Sequence, residues 1–306
     1  MNAVIETRDL TKSYGPTRAL DGLGLRVEAG QCFGFLGPNG AGKTTTIRLL
    51  LALQRPTSGT ASIFGRDVHR ESLAIHRRVG YLPADLVLYR HMTGQQHIDW
   101  FAHARGQGDL HFARELAERF QVVLDRPAGR LSTGNRQKVG LVLAFMHRPD
   151  LLILDEPTSG LDPLMQVEFE RLVRETVADG RTVFLSSHEL DEVQRLAGRV
   201  AIIRAGRLVA DDTVEHLRAA SPQRIEVQFA APIDPALFSR LDGVTIASSD
   251  GPRLVLDIKG RIGPALAAIA EHDPVDVVSQ HAGLDELFLT YYHHATEPEP
   301  EVVHAG

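Results

Sequence analysis

The chain has 306 residues, 43% hydrophobic and 24% charged, which is ordinary for a globular protein and sufficient for about two domains. Its formal net charge of −6 gives no electrostatic reason to expect binding to nucleic acid or to an anionic membrane surface. Cys32 is the only cysteine, which excludes an intrachain disulfide and a cysteine-based metal site and fits a reducing compartment.

Neither the start of the chain nor its apolar runs suggest a membrane segment. The first residues, MNAVIETRDL, lack the basic and apolar regions of a signal peptide. The longest apolar runs, such as VGLVLAFM, are shorter than the ~18 residues that indicate a membrane span. We therefore expect a cytoplasmic protein that works at a membrane only through a partner.

Residues 1–220 alternate short apolar strands with helical patterns, which predicts an α/β domain with a largely parallel sheet. Continuous apolar runs predict strands covered on both faces at Gln31–Leu36, Leu151–Leu154 and Thr182–Leu185. Between these, residues of about 85–147 are mostly helical in pattern. We interpret them as a helical insertion into the sheet domain.

Residues 221–292 predict a second, smaller α+β domain of the ferredoxin-like type, with the order strand, helix, strand, strand, helix, strand. The Asp250-Gly251 pair between two alternating runs indicates a hairpin turn. A short helix is predicted for LDELFLTYY, and residues 293–306 read as a flexible acidic tail. The predicted strands and helices are Arg224–Phe229, Asp234–Arg240, Val244–Ser249, Arg253–Ile258, Ile262–Glu271 and Val275–Gln280.

The segment GPNGAGKT fits the phosphate-binding pattern G-x-x-x-x-G-K-[ST] and lies between an apolar strand and a helical run, as that pattern requires. Glycines let backbone N–H groups turn toward phosphates, while Lys43, one of only four lysines, reaches the terminal phosphates and Thr44 offers a hydroxyl to Mg²⁺. The alternative is a chance glycine turn. The predicted nucleotide-binding residues here are Gly37, Pro38, Asn39, Gly40, Ala41, Gly42, Lys43, Thr44 and Thr45.

Two consecutive carboxylates end the apolar run in LLILDEPTSGLDP. Asp155 suits a Mg²⁺ ligand, and Glu156 suits a base that orients an attacking water. Two ordinary surface acids are the alternative, but the carboxyl end of a buried strand is where α/β proteins bind ligands. Asp162 and Pro163 then predict the start of a helix, as its N-cap and first residue.

His188 lies just past a third strand, where an imidazole can hydrogen-bond a terminal phosphate or the attacking water. Taken alone, such a histidine is more often structural. Its place after the lysine loop and the acid pair, each at a strand end, favours function. Tyr14 can stack on an adenine ring, although an ordinary exposed or core tyrosine is the simpler reading of that residue alone.

The ordered set GPNGAGKT, LSTGNRQKVGL, LLILDEPTSGLD and SSHE closely resembles the nucleotide-binding subunit of ATP-binding cassette (ABC) transporters, within its exporter-like, ABC-2-type branch. The resemblance covers about 220 of the 306 residues. It implies a P-loop ATPase that binds ATP and Mg²⁺, with Tyr14 as the adenine-stacking aromatic and His188 as the switch histidine. It also implies a second ATP-binding subunit, a homodimer or a pair with a paralogue, and a separate transmembrane permease. The expected location is the inner face of the cell membrane, held there by the permease.

The resemblance gives LSTGN a role that its residues do not suggest alone. In this family the signature turn caps the γ-phosphate of ATP held by the opposite subunit, and here Ser132 and Gly134 match it. A serine hydroxyl, a small glycine and a following helix N-terminus also suit a phosphate on physical grounds. An ordinary N-capped helix is the alternative. Thr133 and Asn135 depart from the usual Leu-Ser-Gly-Gly-Gln.

One family element is missing from this sequence. GYLPADLVLYRHMTG resembles the glutamine-loop segment, but Ala84 stands where the glutamine is expected, and the adjacent Asp85 is a candidate substitute. The favoured function is an ATP-hydrolysing subunit of an exporter. Two rivals remain at this stage: a soluble ATPase acting on ribosomes or DNA, and a nucleotide-gated module whose C-terminal domain does the work. The acidic balance and an intact Glu156 and His188 argue against these rivals.

Overall fold

The structure is a computed structural model and describes residues 3–106, 108–220 and 222–281. The chain folds into two compact units that divide between Thr213 and Val214. The predicted boundary at residue 220 lies seven residues later because the helix Val214–Ala220 groups with the second unit. Within the described ranges, no helix combines the length and the apolar character needed to cross a membrane.

The elements of the first unit follow the alternation predicted from the sequence. In chain order they are β1 (Ala3–Tyr14), β2 (Thr17–Glu28), β3 (Cys32–Leu36), α1 (Lys43–Leu50), β4 (Ser58–Ile63), β5 (Arg66–Asp67), α2 (Ser72–His76), β6 (Val79–Leu82), α3 (Gly94–Arg105), α4 (His111–Arg119), a 3₁₀ helix (Ala128–Arg130), α5 (Thr133–Phe145), β7 (Leu151–Asp155), α6 (Pro163–Ala178), β8 (Thr182–Ser187), α7 (Leu190–Leu196), β9 (Arg199–Arg204) and β10 (Arg207–Thr213).

The main sheet has six strands in the order β10-β9-β3-β8-β7-β6. All neighbours from β9 to β6 are parallel, and β10 adds an antiparallel edge. Every residue of β3, β7 and β8 is buried, as their continuous apolar runs predict. The three predicted strands are confirmed to within one or two residues at their ends. The differences matter at two carboxyl ends, where β7 includes Asp155 and β8 extends to Ser187.

A second, antiparallel sheet has the order β2-β1-β4-β5 and shares a large apolar core with the main sheet. The chain between β6 and β7 contains α3, α4 and α5, which is where the helical insertion is predicted. Thr93 and Gln96 form a reciprocal capping box at the start of α3. Asp162 caps α6 and Pro163 is its first residue, as predicted, because the Asp162 side chain accepts from the Met165 N–H at 3.1 Å.

The second unit begins with α8 (Val214–Ala220) and then has the predicted order of elements. Its sheet is antiparallel with the order β12-β13-β11-β14, which is the strand order of a ferredoxin-like arrangement. Ile225, Phe229, Phe238 and Leu256 belong to its separate apolar core. The helix predicted for LDELFLTYY and the predicted tail lie outside the described residues. The elements are β11 (Gln223–Phe229), α9 (Ala236–Ser239), β12 (Val244–Asp250), β13 (Arg253–Ile258), α10 (Gly263–Ala270) and β14 (Pro274–His281).

Candidate active site

The predicted phosphate loop joins the carboxyl end of β3 to the start of α1. Gly42 has φ of +113°, and a Cβ atom there would lie 2.8 Å from the carbonyl oxygen of Ala19, so only glycine fits. The loop leads into the N-terminus of α1, so the free N–H groups of the first turn of this helix point toward the loop. This is the geometry by which a helix N-terminus and a glycine loop bind phosphate.

Lys43 is the first residue of α1, and its side chain folds over the loop. Its ammonium donates to the carbonyl oxygen of Gly37 at 2.5 Å and lies 3.5 Å from Oε1 of Glu156. Although Lys43 is buried, these oxygens replace the water that its charge would otherwise need. A fixed positive charge therefore lies at the mouth of the loop, next to the acid pair.

Asp155 is fully buried at the end of β7, and hydroxyl groups surround it. One carboxylate oxygen accepts from Thr44 Oγ1 at 2.8 Å and the other from Ser186 Oγ at 2.7 Å. A buried carboxylate held by hydroxyls keeps an anionic oxygen beside the phosphate loop. The sequence predicts Thr44 and Asp155 at one site but does not predict Ser186, because the predicted strand ends at Leu185.

Glu156 has a backbone conformation that few residues other than glycine adopt, with φ of +51°. Its N–H donates to the carbonyl oxygen of Ser186 at 2.9 Å, and its own carbonyl accepts from Ser159 N at 3.2 Å. The buried Gln137 of α5 donates its amide to the carbonyl oxygens of Pro157 at 3.0 Å and Glu156 at 3.3 Å. Strain at a candidate catalytic residue, held by several hydrogen bonds, is a common feature of active sites.

His188 lies where the sequence predicts, just beyond β8, and its Nδ1 is 2.7 Å from Oε2 of Glu156. The Glu156 carboxylate thus has the His188 ring on one oxygen and the Lys43 ammonium on the other. The His188 side chain is half exposed. The three side chains can orient a water and a terminal phosphate above the loop.

The signature turn is the N-terminus of α5. Ser132 caps this helix, because its hydroxyl oxygen accepts from the Asn135 N–H at 3.2 Å. The two residues that depart from the family pattern have partners within the chain: Asn135 Oδ1 accepts from Val123 N at 3.1 Å, and Thr133 Oγ1 accepts from Arg136 at 3.1 Å. Among the described residues, Ser132 makes no hydrogen bond with the phosphate loop of its own chain.

Tyr14 lies at the end of β1 with its side chain partly exposed. Its hydroxyl donates to Gln54, and the Lys12 ammonium lies 5.1 Å from the centre of its ring. No hydrogen bond between described residues joins Tyr14 to the phosphate loop. The role of Tyr14 as an adenine platform stays a prediction.

Ala84 and Asp85 lie in the loop after β6, beyond Pro83, and are both exposed. Asp85 contributes to the wall of a largely apolar groove of about 700 Å³ formed by β6, the loop after it, α3 and α5. Tyr81 also lines this groove, and its pKa is raised to about 12, first by burial and then by the negative charge of Asp155. Position 84 therefore contributes no polar side chain, and its neighbour Asp85 faces a surface groove.

Residues 20–159 match a family model described as ABC transporter. Bacitracin transport ATP-binding protein BcrA of Bacillus licheniformis is 37% identical, over 75% of this chain and 76% of that protein. Daunorubicin/doxorubicin resistance ATP-binding protein DrrA of Streptomyces peucetius is 35% identical, over 96% of this chain and 93% of that protein. The chain belongs to the ABC transporter family. It is an ATP-binding subunit of the exporter-type branch that hydrolyses ATP to power export.

Solved structures agree with this assignment. An ATP-binding subunit of an ABC transporter superposes with a TM-score of 0.66 at 32% identity, over 70% of this chain and 92% of that one. A dimeric bacterial ABC transporter cassette gives 0.64 at 21% identity, over 69% and 98%, which shows the fold alone. The predicted P-loop fold and ATPase activity are confirmed. Of the three functions considered from the sequence, the exporter subunit is the one that the relatives support.

Proposed function

We propose that two ATP-binding subunits, in a homodimer, enclose two MgATP between them and drive a separate transmembrane permease from the inner face of the membrane. Three arrangements support this proposal. They are the phosphate loop with Lys43 beside the paired acids, the exposed signature turn, and the apolar groove next to Ala84, where the family has a glutamine. The Glu156 carboxylate, held between Lys43 and His188, is the observation that carries the catalytic part.

The residues at the loop fit a hydrated magnesium ion bound with ATP. Mg²⁺ prefers hard oxygen ligands and keeps several waters, so one hydroxyl, one nearby carboxylate and phosphate oxygens are sufficient. The Thr44 hydroxyl and the Asp155 carboxylate lie together in the site, 2.8 Å apart. We assign Thr44 as a direct ligand and Asp155 as a ligand through water. When bound, the ion neutralises charge on the phosphates.

In the proposed hydrolysis, Glu156 accepts a hydrogen bond from the attacking water and orients it toward the γ-phosphate. Lys43 stabilises the negative charge that grows on the phosphate oxygens. His188 keeps the Glu156 carboxylate in place through their 2.7 Å contact and offers its other nitrogen to the γ-phosphate or the water. The backbone N–H groups at the start of α1 hold the phosphates in line.

The signature turn supports an arrangement in which each ATP is completed by the opposite subunit. The hydroxyl oxygen of Ser132 already accepts one hydrogen bond from α5, and its proton has no acceptor among the described residues. The hydroxyl can therefore donate to a phosphate that arrives from outside the chain. The start of α5 adds the partial positive charge of a helix N-terminus at the same point.

We propose that the groove beside Asp85 receives an apolar segment of the permease. Val87, Tyr89 and Trp100 line it and expose large apolar side chains, of which Val87 is 88% exposed. Exposed apolar patches next to a groove mark sites of protein association. β6 pairs with β7 through Leu82 and Leu154, so the groove is one strand away from Asp155. A partner seated there contacts the same loop that follows β6.

Membrane retention tests this assignment. Val87→Glu places a charge in the apolar groove, and we expect the subunit to move from the membrane fraction of permease-containing cells to the soluble fraction. Basal hydrolysis by the purified variant should stay within about twofold, because Val87 lines the groove and is not one of the residues assigned to the phosphate site. Val167→Glu is the matched control, since Val167 is an exposed valine of α6 outside the groove. Unchanged retention of the Val87 variant would exclude the groove as the docking site.

A further inference from the structure

Glu192, in the first turn of α7, is a buried acid with an unusual environment. Its residue is only 2% exposed, and neither carboxyl oxygen has a hydrogen-bond partner of good geometry among the described residues. Glu170 is a useful contrast, because it is also buried but is held by Arg174 at 3.1 Å and Arg195 at 2.7 Å. No cation of this kind pairs with Glu192 in the described part of the chain. A buried carboxylate without one is strongly destabilised.

The groups around Glu192 belong to the active-site segments. The hydroxyls of Ser187 and Thr158 face its carboxyl group, outside good hydrogen-bond geometry, and the Cys32 thiol of β3 lies within its electrostatic reach. The charged groups that face it are two further carboxylates, Glu156 and Glu189. Burial, more than these charges, raises the pKa of Glu192 to about 7. The uncharged acid is therefore a major form at neutral pH.

Glu192 lies next to both segments that carry the candidate catalytic residues Glu156 and His188. Thr158 follows Glu156 by two residues, and Ser187 directly precedes His188. Val193 of α7 packs so closely on the backbone of Gly34 in β3 that a Cβ atom at this position would not fit between them, so α7 is already in contact with the sheet. The carboxyl group of Glu192 thus fills a fixed space behind the residues that set the Glu156–His188 distance.

We propose that Glu192 is a positioning residue, whose uncharged carboxyl group holds the segments that carry Glu156 and His188 at the spacing their contact requires. The proposal rests on the roles proposed above for Glu156 and His188. Loss of the Glu192 proton places an unpaired negative charge near the Glu156 carboxylate. We expect that charge to draw the first turn of α7 toward solvent and to separate the pair.

The pH dependence of hydrolysis tests the proposal. With saturating MgATP, wild-type kcat should fall about tenfold as the pH rises from 6 to 8.5, following one ionisation near neutrality, while KM stays within twofold. Glu192→Gln, which keeps the shape without the charge, should remove most of this alkaline decrease. Glu192→Ala should lower kcat at least about fivefold at pH 6, where the glutamine variant should retain wild-type kcat. Asp191→Asn is the matched control and should keep the wild-type profile, since Asp191 is an exposed acid of the same helix.

Two results would overturn the proposal: an unchanged alkaline decrease in Glu192→Gln, or wild-type kcat in Glu192→Ala at every pH. Infrared spectroscopy of the wild-type protein adds a readout that needs no variant to fold. A protonated-carboxyl stretching band should disappear with the same pH midpoint as kcat, and its absence at pH 6 would also refute the idea. Glu156→Gln is measured in parallel. If it keeps normal turnover, the proposed role of Glu156 fails, whereas a large loss there with an unchanged alkaline decrease in Glu192→Gln rejects only the role of Glu192.

Discussion

Gly134 of the signature turn lies against Gly160 of the same chain, so that a Cβ atom on Gly134 would come closer than 3.0 Å to the Gly160 carbonyl oxygen. The sequence suggests that Gly134 is small so that backbone can approach a phosphate, and the structure adds a second reason within the chain. Gly160 follows the strained Glu156 by four residues. The signature turn and the segment after the acid pair are therefore in direct contact.

Gly134→Ala should displace residues 156–160 and reduce hydrolysis. The added methyl group meets backbone rather than a side chain that can rotate, so we expect the free energy of unfolding to fall by about 1–3 kcal/mol. ATP affinity of the monomer, measured by calorimetry, should change less than about threefold, because the phosphate loop is separate in the chain. Thr133→Ala is the control, since it removes the hydrogen bond with Arg136 and adds no atom at the contact with Gly160. Normal stability and turnover in Gly134→Ala would contradict the close approach.

Glu156→Gln should separate binding from hydrolysis. The amide keeps the size of the side chain but accepts a proton far less readily, so we expect hydrolysis to fall at least about 10²-fold, as for loss of a general base. ATP-dependent dimers should persist and be visible by size-exclusion chromatography with MgATP. Monomers alone, together with intact turnover, would contradict both the role of Glu156 and the proposed dimer. Glu189→Gln serves as a control for removal of a nearby acid.

The strand-end residues show what the sequence could and could not predict. The phosphate loop, Asp155, Glu156 and His188 are each found where the pattern places them, because continuous apolar strands mark the sheet and short motifs follow their ends. Ser186 was not predicted, because a serine at the end of an apolar run usually indicates the start of a loop. Here it is buried and donates to Asp155. Gln137 was missed for a related reason, since a polar residue inside a helix indicates no partner by itself.

Other features depend on tertiary contacts that have no local pattern. The positive φ of Glu156 is imposed by hydrogen bonds from distant segments, and glutamate has no intrinsic preference for it. The sequence also does not predict that Glu192 is buried without a cation. It follows Asp191, which is exposed, and two consecutive acids in a helix are typical of a solvent-facing surface. The division before α8 also differs from the predicted boundary, which followed the change in composition after residue 219.

The second unit should be dispensable for nucleotide binding. Each predicted phosphate-contacting residue precedes position 190, and the first unit has its own core, so a chain ending at Thr213 should fold and bind ATP with an affinity within about threefold of the full chain. Isothermal calorimetry on the shortened protein is the measurement, and circular dichroism shows that it is folded. Loss of ATP binding in a folded shortened chain would show that the second unit contributes to the site.

Asp85→Ala should leave MgATP affinity within about threefold, which corresponds to less than about 0.7 kcal/mol. The reason is that Asp85 faces the groove, and we assign Mg²⁺ to Thr44, Asp155, phosphates and water. Affinity is compared with and without Mg²⁺. A larger loss that occurs only with Mg²⁺ would make Asp85 the substitute for the missing glutamine. If the loop serves the permease alone, transport falls in this variant while basal hydrolysis is unchanged.

Glu192 should also change the pH dependence of stability. Its pKa is about 7 in the folded protein against an ordinary value of 4.5, so the folded state binds more protons between these values. Its contribution is fully present below pH 4.5 and is lost as the pH rises to about 7. His147 acts in the opposite direction, because burial lowers its pKa from 6.5 to about 4 and stability is lost as the pH falls through that range. The net slope of the wild-type protein alone is therefore not diagnostic.

The comparison between wild type and Glu192→Gln isolates the acid, because His147 is the same in both proteins. From pH 4.5 to 7, urea unfolding should show that wild type loses up to about 3 kcal/mol relative to the glutamine variant, at 1.36 kcal/mol per pKa unit. Above pH 7.5 the difference between them should stay constant. Asp191→Asn, at an exposed position of α7, should give a curve of the same shape as wild type. Parallel curves for wild type and Glu192→Gln would mean that the Glu192 carboxyl group is solvated and ionises normally in the folded protein.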